Sequence, residues 1–179
     1  MITYKFDVLK SLNALLFIAN KIANNGVADK YATLKILYFA EKRHLSLYGR
    51  LITDDRFAAL KYGPVPSNSY DILENNLIYG ESFQLVSNKK IHPLTSPDLD
   101  YLSESDVECL SHAIEENIAL DFQSLMEKSH DNAYHEAFDS GLQYMNIESI
   151  AIQEGADQNM LGFIKEHYET ANLSSWLPA

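Results

Sequence analysis

Apolar residues recur every three or four positions through most of the chain, a period that predicts a largely helical protein. The first apolar stripe, over about residues 6–23, consists of Phe6, Leu9, Leu12, Leu16, Ala19 and Ile22. A second helix is predicted to start after an Asp29 N-cap and to run to about Leu47. Gly49 then stands where a left-handed residue commonly ends a helix.

The second half of the chain continues this helical pattern. Ser103 and Asp106 have the spacing of a capping box ahead of another apolar stripe, and Asp157 is placed to cap the last helix. Short strands are expected at residues 57–62 and in a hairpin of residues 83–92, and the prolines of Gly63-Pro64-Val65-Pro66 are expected to interrupt the first strand. We therefore predict an α+β, mostly α protein, in which residues 1–179 form one compact domain. It should contain about six to eight helices and one small antiparallel sheet or hairpin.

Composition and charge narrow the classes of protein to consider. The one cysteine, Cys109, cannot build a disulfide framework, and no signal peptide or membrane span stands out, so we expect a cytoplasmic protein. Residues 1–62 carry ten Lys/Arg and five Asp/Glu, a net +5, whereas residues 63–179 carry four and twenty, a net −16. This acidic majority disfavours nucleic acid as a direct partner and suits a basic protein surface.

The sequence lacks the common catalytic and metal-binding motifs. His130 and His135 are five residues apart, about 140° around a helix, so they do not share a face. His44 falls on the apolar face of the second predicted helix, which is typical of a core histidine. Cys109 and His112 have the spacing of a nucleophile and its base, but nothing in the sequence marks an oxyanion hole. We predict no enzyme activity, no metal site and no cofactor.

The most distinctive stretch of the chain runs from Tyr48 to Tyr70. It combines a glycine stop, an acidic turn, a short apolar strand and the Gly-Pro-Val-Pro element. One interpretation is purely structural, a rigid corner between a strand and a helix. The other is a preorganised recognition surface, because rigid turns and tyrosines lose little entropy on binding. The candidate partner-binding residues in this stretch are Tyr48, Arg50, Asp54, Asp55, Tyr62, Gly63, Pro64, Val65 and Tyr70.

Three motifs of the chain resemble the Panacea domain of SocA-like antitoxins and related phage-associated proteins. They are Ile36-Leu37-Tyr38-Phe39-Ala40, Tyr48-Gly49-Arg50-Leu51-Ile52-Thr53-Asp54-Asp55 and Tyr62-Gly63-Pro64-Val65-Pro66. The resemblance extends over roughly residues 10–170 and includes a leucine-to-Ser/Thr-His segment that ends at His130. It adds His130 and Tyr134 to the candidate partner-binding residues.

Two positions depart from the pattern of that family. Asp54 stands where glycine is common, and we expect the turn to survive because aspartate tolerates a left-handed backbone. Tyr134 takes the place of an aromatic residue that is often tryptophan. Both departures bear on the choice of partner rather than on the fold.

The resemblance implies an antitoxin that neutralises a cognate toxin, encoded nearby, by direct protein–protein binding. A first alternative is a proteolytic adaptor that delivers the toxin to an AAA+ protease. In that case Leu173–Ala179 could serve as a docking tail, unless Trp176 packs against the core. A second alternative is a hydrolase that uses His130 or the Asp54-Asp55 pair.

Overall fold

The computed structural model describes residues 5–174 and confirms a mostly helical α+β fold. In chain order, the helices are α1 (Val8–Ile22), α2 (Lys30–Tyr48), α3 (Ser67–Glu74), α4 (Asn76–Tyr79), α5 (Glu104–Asn117), α6 (Phe122–Ser129), α7 (Asn132–Asp139), α8 (Ile147–Gln153) and α9 (Gln158–Ser174). All but the single turn α4 have seven residues or more, so eight longer helices lie within the described residues, as predicted. In that part of the chain, no helix is both long and apolar enough to cross a membrane.

The helix ends follow the local signals in the sequence. The Asp29 side chain caps α2, and Ser103 and Asp106 form the predicted reciprocal capping box at the start of α5. Gly49 ends α2 in the left-handed conformation, with a φ of 71°. The Asp157 side chain accepts a 2.8 Å hydrogen bond from the Met160 N–H, as expected of a cap for α9.

The strands form two small antiparallel sheets rather than one. They are β1 (Ala28–Asp29), β2 (Phe57–Leu60), β3 (Gly63–Pro66), β4 (Phe83–Ser87) and β5 (Lys90–Pro93). The predicted hairpin is confirmed as β4–β5, and β1 joins it in the order β1-β5-β4. The second sheet pairs β2 with β3, and β3 is the Gly63–Pro66 segment whose prolines were expected to interrupt the first strand.

The two prolines are tolerated in β3 because their backbone nitrogens point away from β2. On its far side β2 bonds to the segment around Tyr144, through the N–H of Ala59 and the carbonyl of Phe57. The N–H and C=O groups of successive residues point to opposite sides of a strand. In β2, Ala58 and Leu60 therefore direct these groups toward β3, where they lie opposite Val65 and Gly63. Pro64 and Pro66 therefore need no N–H, as is usual for proline in an edge strand. The predicted break after the first strand is present, since β2 ends at Leu60, but the prolines do not prevent Gly63–Pro66 from pairing with it as β3.

Helix α2 runs through the centre of the molecule and is buried on nearly every side. It packs against α1, α5, α6, α8 and β3. Its apolar residues Leu37, Tyr38, Ala40 and Leu45 have no exposed surface. Its polar residues are also covered, so each needs a partner inside the protein. For Lys35, Glu41 and His44 these partners come from the stretch between Tyr48 and Tyr70, and they fix its position.

Candidate aromatic groove

An open groove with aromatic walls lies beside the β2–β3 hairpin and has a volume of about 540 Å³. This size falls within the ~300–1,000 Å³ range of ligand pockets. We call it the aromatic groove. Its lining residues are Asp29, Lys30, Tyr31, Leu34, Leu60, Tyr62, Val65, Tyr70, Asn88, Lys89 and Phe122. A smaller cleft of about 250 Å³ shares Asp29, Tyr31 and Phe122 with it, so these three residues separate two neighbouring depressions.

The ring at the centre of these two depressions is Tyr31, at the start of α2. Its centroid lies 4.4 Å from that of Phe122 on α6, and its hydroxyl donates a 2.8 Å hydrogen bond to the Tyr62 carbonyl. The Tyr62 ring lies edge-on to Phe122 at 5.9 Å. These contacts hold together rings from the β2–β3 turn, α2 and α6, which are far apart in the sequence.

Tyr62 and Tyr70 keep a large exposed surface in this arrangement. Tyr62 is 52% exposed and Tyr70 is 38% exposed. On the other side of the groove, the Lys30 ammonium lies 5.2 Å from the centre of the Tyr70 ring and pairs with Glu74. The groove thus presents two partly free tyrosine rings on a base that is already fixed by internal contacts, as expected of a preorganised surface.

The Gly-Pro-Val-Pro element forms the wall behind Tyr62. Gly63 has a φ of 93°, and a Cβ at this position would lie 2.5 Å from Ser129 Oγ and 2.7 Å from Lys35 Nζ. Lys35 is 1% exposed and donates a 2.7 Å hydrogen bond to the Pro64 carbonyl. Burial lowers the pKa of the Lys35 amine to about 7. Gly63 and Pro64 are buried and position the groove, whereas the Val65 side chain lines it.

Asp55 lies beneath this corner and has no exposed surface. Its carboxylate accepts hydrogen bonds from the N–H groups of Arg56, Asn68 and Ser69, and also from the side chains of the last two. It therefore joins the start of β2 to the first turn of α3, which carries Tyr70. The structure places this candidate residue inside the protein, where it supports the groove rather than lining it.

Asp54 adopts the left-handed turn expected for it, with a φ of 53°. Its carboxylate accepts a 2.8 Å hydrogen bond from the Tyr168 hydroxyl on α9, and burial raises its pKa above the ordinary value. The Tyr168 hydroxyl in turn accepts from the N–H of Leu51 at 2.9 Å. This candidate residue thus contacts α9 and takes no part in the groove.

Glu41 is a support for the tract that the sequence did not reveal. It lies fully buried on α2 and accepts hydrogen bonds from the N–H groups of Ile52 and Thr53 and from the Thr53 hydroxyl. Burial raises the pKa of this carboxyl to about 8, although the three donors favour its charged form. In the sequence, Glu41 is a single polar residue within a helical pattern. Only the fold places the backbone of Ile52 and Thr53 over its carboxylate.

Arg50 and Tyr48 lie around Asp106, away from the groove. Arg50 donates to the Asp106 carboxylate at 3.1 Å, beside His44, which has no exposed surface and behaves as the predicted core histidine. Tyr48 is 39% exposed and donates to Glu108 at 2.9 Å. It belongs to a separate depression, whose lining residues are Leu47, Tyr48, Asp157, Asn159, Met160 and Phe163.

His130 and Tyr134 pack together behind the hairpin. Their rings stack at 4.3 Å, and the Tyr134 hydroxyl donates to the Leu60 carbonyl at 2.9 Å. Tyr134 is only 1% exposed. Burial, followed by the charge on Lys35, lowers the pKa of His130, and within the described residues its buried Nε2 has no hydrogen-bond partner. Both residues therefore support the corner from inside.

The candidate residues thus fall into three groups. Tyr62, Val65 and Tyr70 line the aromatic groove, and Tyr48 lines the separate depression. The others support the surrounding structure: Arg50, Asp54, Asp55, Gly63, Pro64, His130 and Tyr134. Tyr31 and Phe122 were missed, because only the fold brings these two helix starts beside Tyr62. Among the described residues, no group of three or more His, Cys, Asp or Glu side chains is arranged to hold a metal ion.

Comparison with known proteins identifies the family of this chain. No curated protein and no solved structure matches the sequence. The family model described as "Antitoxin SocA-like, Panacea domain" matches residues 34–135, which is more than half of the chain. The matched segment includes α2 from Leu34 onward, the tract from Tyr48 to Tyr70, and α5 to α7 up to His135. By this match, the chain belongs to the SocA-like antitoxin family and carries its Panacea domain.

Proposed function

We propose that this protein is an antitoxin that neutralises a cognate toxin, encoded nearby, by binding it directly through the aromatic groove. The observation that carries the proposal is the pair of partly exposed rings, Tyr62 and Tyr70, on a fixed base of Tyr31 and Phe122. Tyrosine is enriched among the residues that dominate protein interfaces, and preorganisation lowers the entropy lost on binding. The family to which the chain belongs supports the same function.

The proposal covers the whole chain as one cytoplasmic domain that acts without catalysis or a cofactor. Two helices outside the matched segment support the single-domain part, because α1 packs on α2 and α5, and α9 packs on α2 and α8. The supporting roles of Asp54, Asp55 and His130 offer the hydrolase alternative no exposed pair of catalytic groups. In the proposal, the net −16 of residues 63–179 helps to mask a basic region of the toxin.

The test is co-expression of this chain with the protein encoded by the adjacent reading frame. We expect that protein to arrest growth alone, and this chain to restore growth. Tyr62→Ala should weaken binding by about 2 kcal/mol, which is ~30-fold in Kd measured by calorimetry, and should reduce rescue. A harmless adjacent product, or a toxic one that this chain neither binds nor neutralises, would contradict the proposal.

Two further tyrosine variants make this test specific to the groove. Tyr101 is 43% exposed and lines none of the three depressions described above, so Tyr101→Ala is the matched control and should leave binding unchanged. Tyr48→Ala tests the separate depression on α2 and α9. A loss with Tyr48→Ala and none with Tyr62→Ala would move the binding surface away from the groove.

The adaptor alternative has no support among the described residues. The side chains of residues 170–179, including Trp176, lie outside them, so the predicted docking tail has no structural account. The half-life of the toxin in cells separates the two mechanisms. Direct inhibition leaves the half-life unchanged or longer in the presence of this chain, whereas an adaptor shortens it.

A further inference from the structure

The aromatic groove is surrounded by charged groups, and most of them are already paired within the protein. Lys30 pairs with Glu74, and Lys90 pairs with Asp29 at 3.3 Å. Asp29 also caps α2, and Asp121, which lines the neighbouring cleft, caps α6 through a 2.8 Å hydrogen bond. The acidic groups along these walls are therefore engaged in caps and ion pairs.

Two lysines at the groove lack such a partner. Lys89 lines the groove, and Lys61 extends over the Tyr62 ring at 5.4 Å from its centre. Both side chains are exposed, and neither takes part in an ion pair within the described residues. Asp71 follows Tyr70 on α3 but points about 100° away around the helix, and it does not line the groove. The unmatched charge at the groove is positive.

This local charge is opposite to that of the whole chain, which is −11. At physiological salt, charges on the surface are screened beyond ~8 Å, so Lys61 and Lys89 act on groups held close to the aromatic rings. A fitting ligand therefore carries a few acidic groups next to its apolar anchors. An extended polyanion would also meet the acidic remainder of the protein, which disfavours a nucleic acid strand.

The backbone at the groove indicates which secondary structure the ligand has. Four carbonyls around it already accept hydrogen bonds from side chains of the protein. These are Asp29 from Thr33, Leu60 from Tyr134, Tyr62 from Tyr31, and Pro64 from Lys35. In addition, the edge of β3 that faces away from β2 lies against α2, and Pro64 and Pro66 give it no N–H donors. Among these described groups a peptide strand would find no edge to pair with, so we expect recognition to depend on side chains, as when an amphipathic helix lies in a groove.

We infer that the aromatic groove binds an amphipathic helix of the toxin, whose apolar face contacts Tyr31, Tyr62, Tyr70 and Phe122 and whose flanking acidic residues pair with Lys61 and Lys89. The inference rests on the proposed function and specifies the part of the toxin that is recognised. It differs from the masking of a basic toxin region by the acidic surface, because it assigns acidic groups to the toxin element at the groove.

The experiment uses overlapping peptides of ~20 residues, long enough for several helical turns, that together cover the protein encoded by the adjacent reading frame. Binding of each labelled peptide to the full chain is measured by fluorescence anisotropy, and its helicity by circular dichroism with and without the chain. We expect the peptides that bind to be amphipathic and net negative, and to become helical when bound. Tight binding only by net-positive peptides, binding without a gain of helicity, or no binding peptide would each overturn the inference.

Charge-reversal variants then test the two lysines. The double variant Lys61→Glu/Lys89→Glu should weaken peptide binding about tenfold, because two attractions become repulsions. Lys165→Glu is the matched control, since Lys165 is an exposed lysine on α9 that lines no part of the groove, and it should stay within about twofold of the unmodified protein. Equal effects of the double variant and the control would overturn the inference, as would displacement of the peptide by a short single-stranded RNA.

Peptide binding and growth rescue together distinguish a failure of this inference from a failure of the proposed function. If the adjacent product is harmless but its helical acidic peptide binds the groove, the antitoxin function fails and the groove inference stands. If the product is toxic and neutralised while no acidic helix binds, the function stands and the inference fails.

Discussion

Four lysine or carboxylate side chains within the described residues have 1% or less of their surface exposed: Lys35, Glu41, Asp55 and Asp106. Burying such a group is costly unless hydrogen bonds or opposite charges replace its water. Each of the four meets this requirement through contacts with the Tyr48–Tyr70 tract or with the start of α5. At the scale of single residues, these contacts determine the path of the tract.

Asp55 gives the clearest prediction at this scale. Asp55→Ala leaves the N–H groups of Asn68 and Ser69 without their acceptor at the start of α3. We expect a loss of about 3 kcal/mol in the free energy of unfolding, measured by urea denaturation followed by circular dichroism. The control is Asp139→Ala, because this exposed carboxylate contacts only His135 among the described ion pairs, and its loss should cost less than about 0.5 kcal/mol. Equal unfolding midpoints for the two variants would contradict the assigned role.

At the scale of elements, the β2–β3 hairpin and α3 form one rigid corner. The side of β3 that faces away from β2 lies against α2, where Lys35 binds the Pro64 carbonyl. The hairpin turn carries Tyr62, and α3 carries Tyr70. The geometry of the aromatic groove therefore depends on how closely β3 approaches α2 and α6, and at Gly63 this contact leaves no room for a Cβ.

Gly63→Ala should loosen this corner. The new Cβ meets Ser129 Oγ at 2.5 Å, and this short side chain on α6 has little freedom to move because it already donates to a carbonyl of its own helix. We expect a loss of about 2–4 kcal/mol in unfolding free energy and weaker toxin binding. Urea denaturation and calorimetry provide the two measurements.

Gly155→Ala is the matched control for Gly63→Ala. Gly155 has a similar φ of 89°, but no heavy atom lies within 4 Å of a Cβ added there. It should therefore show only the cost of a left-handed alanine, about 1 kcal/mol. Similar losses for the two variants would show that crowding at Gly63 contributes nothing.

At the scale of the whole molecule, Asp106 connects four separate parts of the chain. Its carboxylate pairs with Lys10 on α1 at 2.7 Å, with His44 on α2 at 3.2 Å and with Arg50 at 3.1 Å, and it closes the capping box of α5. Burial alone would raise its pKa, but the hydrogen bonds from His44, Lys10 and Ser103 outweigh burial and hold the pKa well below its usual value of 3.8. The ionised carboxylate therefore stabilises the fold.

This shift predicts how Asp106→Asn changes with pH. A carboxyl whose pKa is lower in the folded state stabilises the protein at pH values above its ordinary pKa, and the effect is lost as the pH falls below that value. At about pH 7 the variant should lose ~2–3 kcal/mol of unfolding free energy, and the difference should shrink between about pH 5 and pH 3. Urea denaturation over this pH range measures it. Asp100→Asn, at an exposed carboxylate, serves as the control, and a difference for Asp106→Asn that stays constant with pH would contradict the assignment.

The sequence by itself determined the features that depend on residues three or four positions apart. The caps at Asp29, Ser103 and Asp157, the left-handed Gly49 and the left-handed Asp54 are all present as predicted. Such features need only a side chain and a backbone group of the same turn, so their energetics are visible in a short stretch of sequence. The helical character of the chain and the motifs that resemble the family follow from the same kind of local pattern.

Only the tertiary structure decided which of the candidate residues share a surface. Tyr31, Tyr62 and Phe122 meet because α2, the hairpin turn and the start of α6 pack together, and no local pattern encodes that meeting. Polar residues such as Asp55 and Glu41 became internal because the chain folds over them and supplies their hydrogen bonds. Burial and partner choice are properties of the packed molecule, since they depend on contacts between segments that are distant in sequence. The tract from Tyr48 to Tyr70 was visible in the sequence, and packing divided it into a supporting corner and one face of a groove.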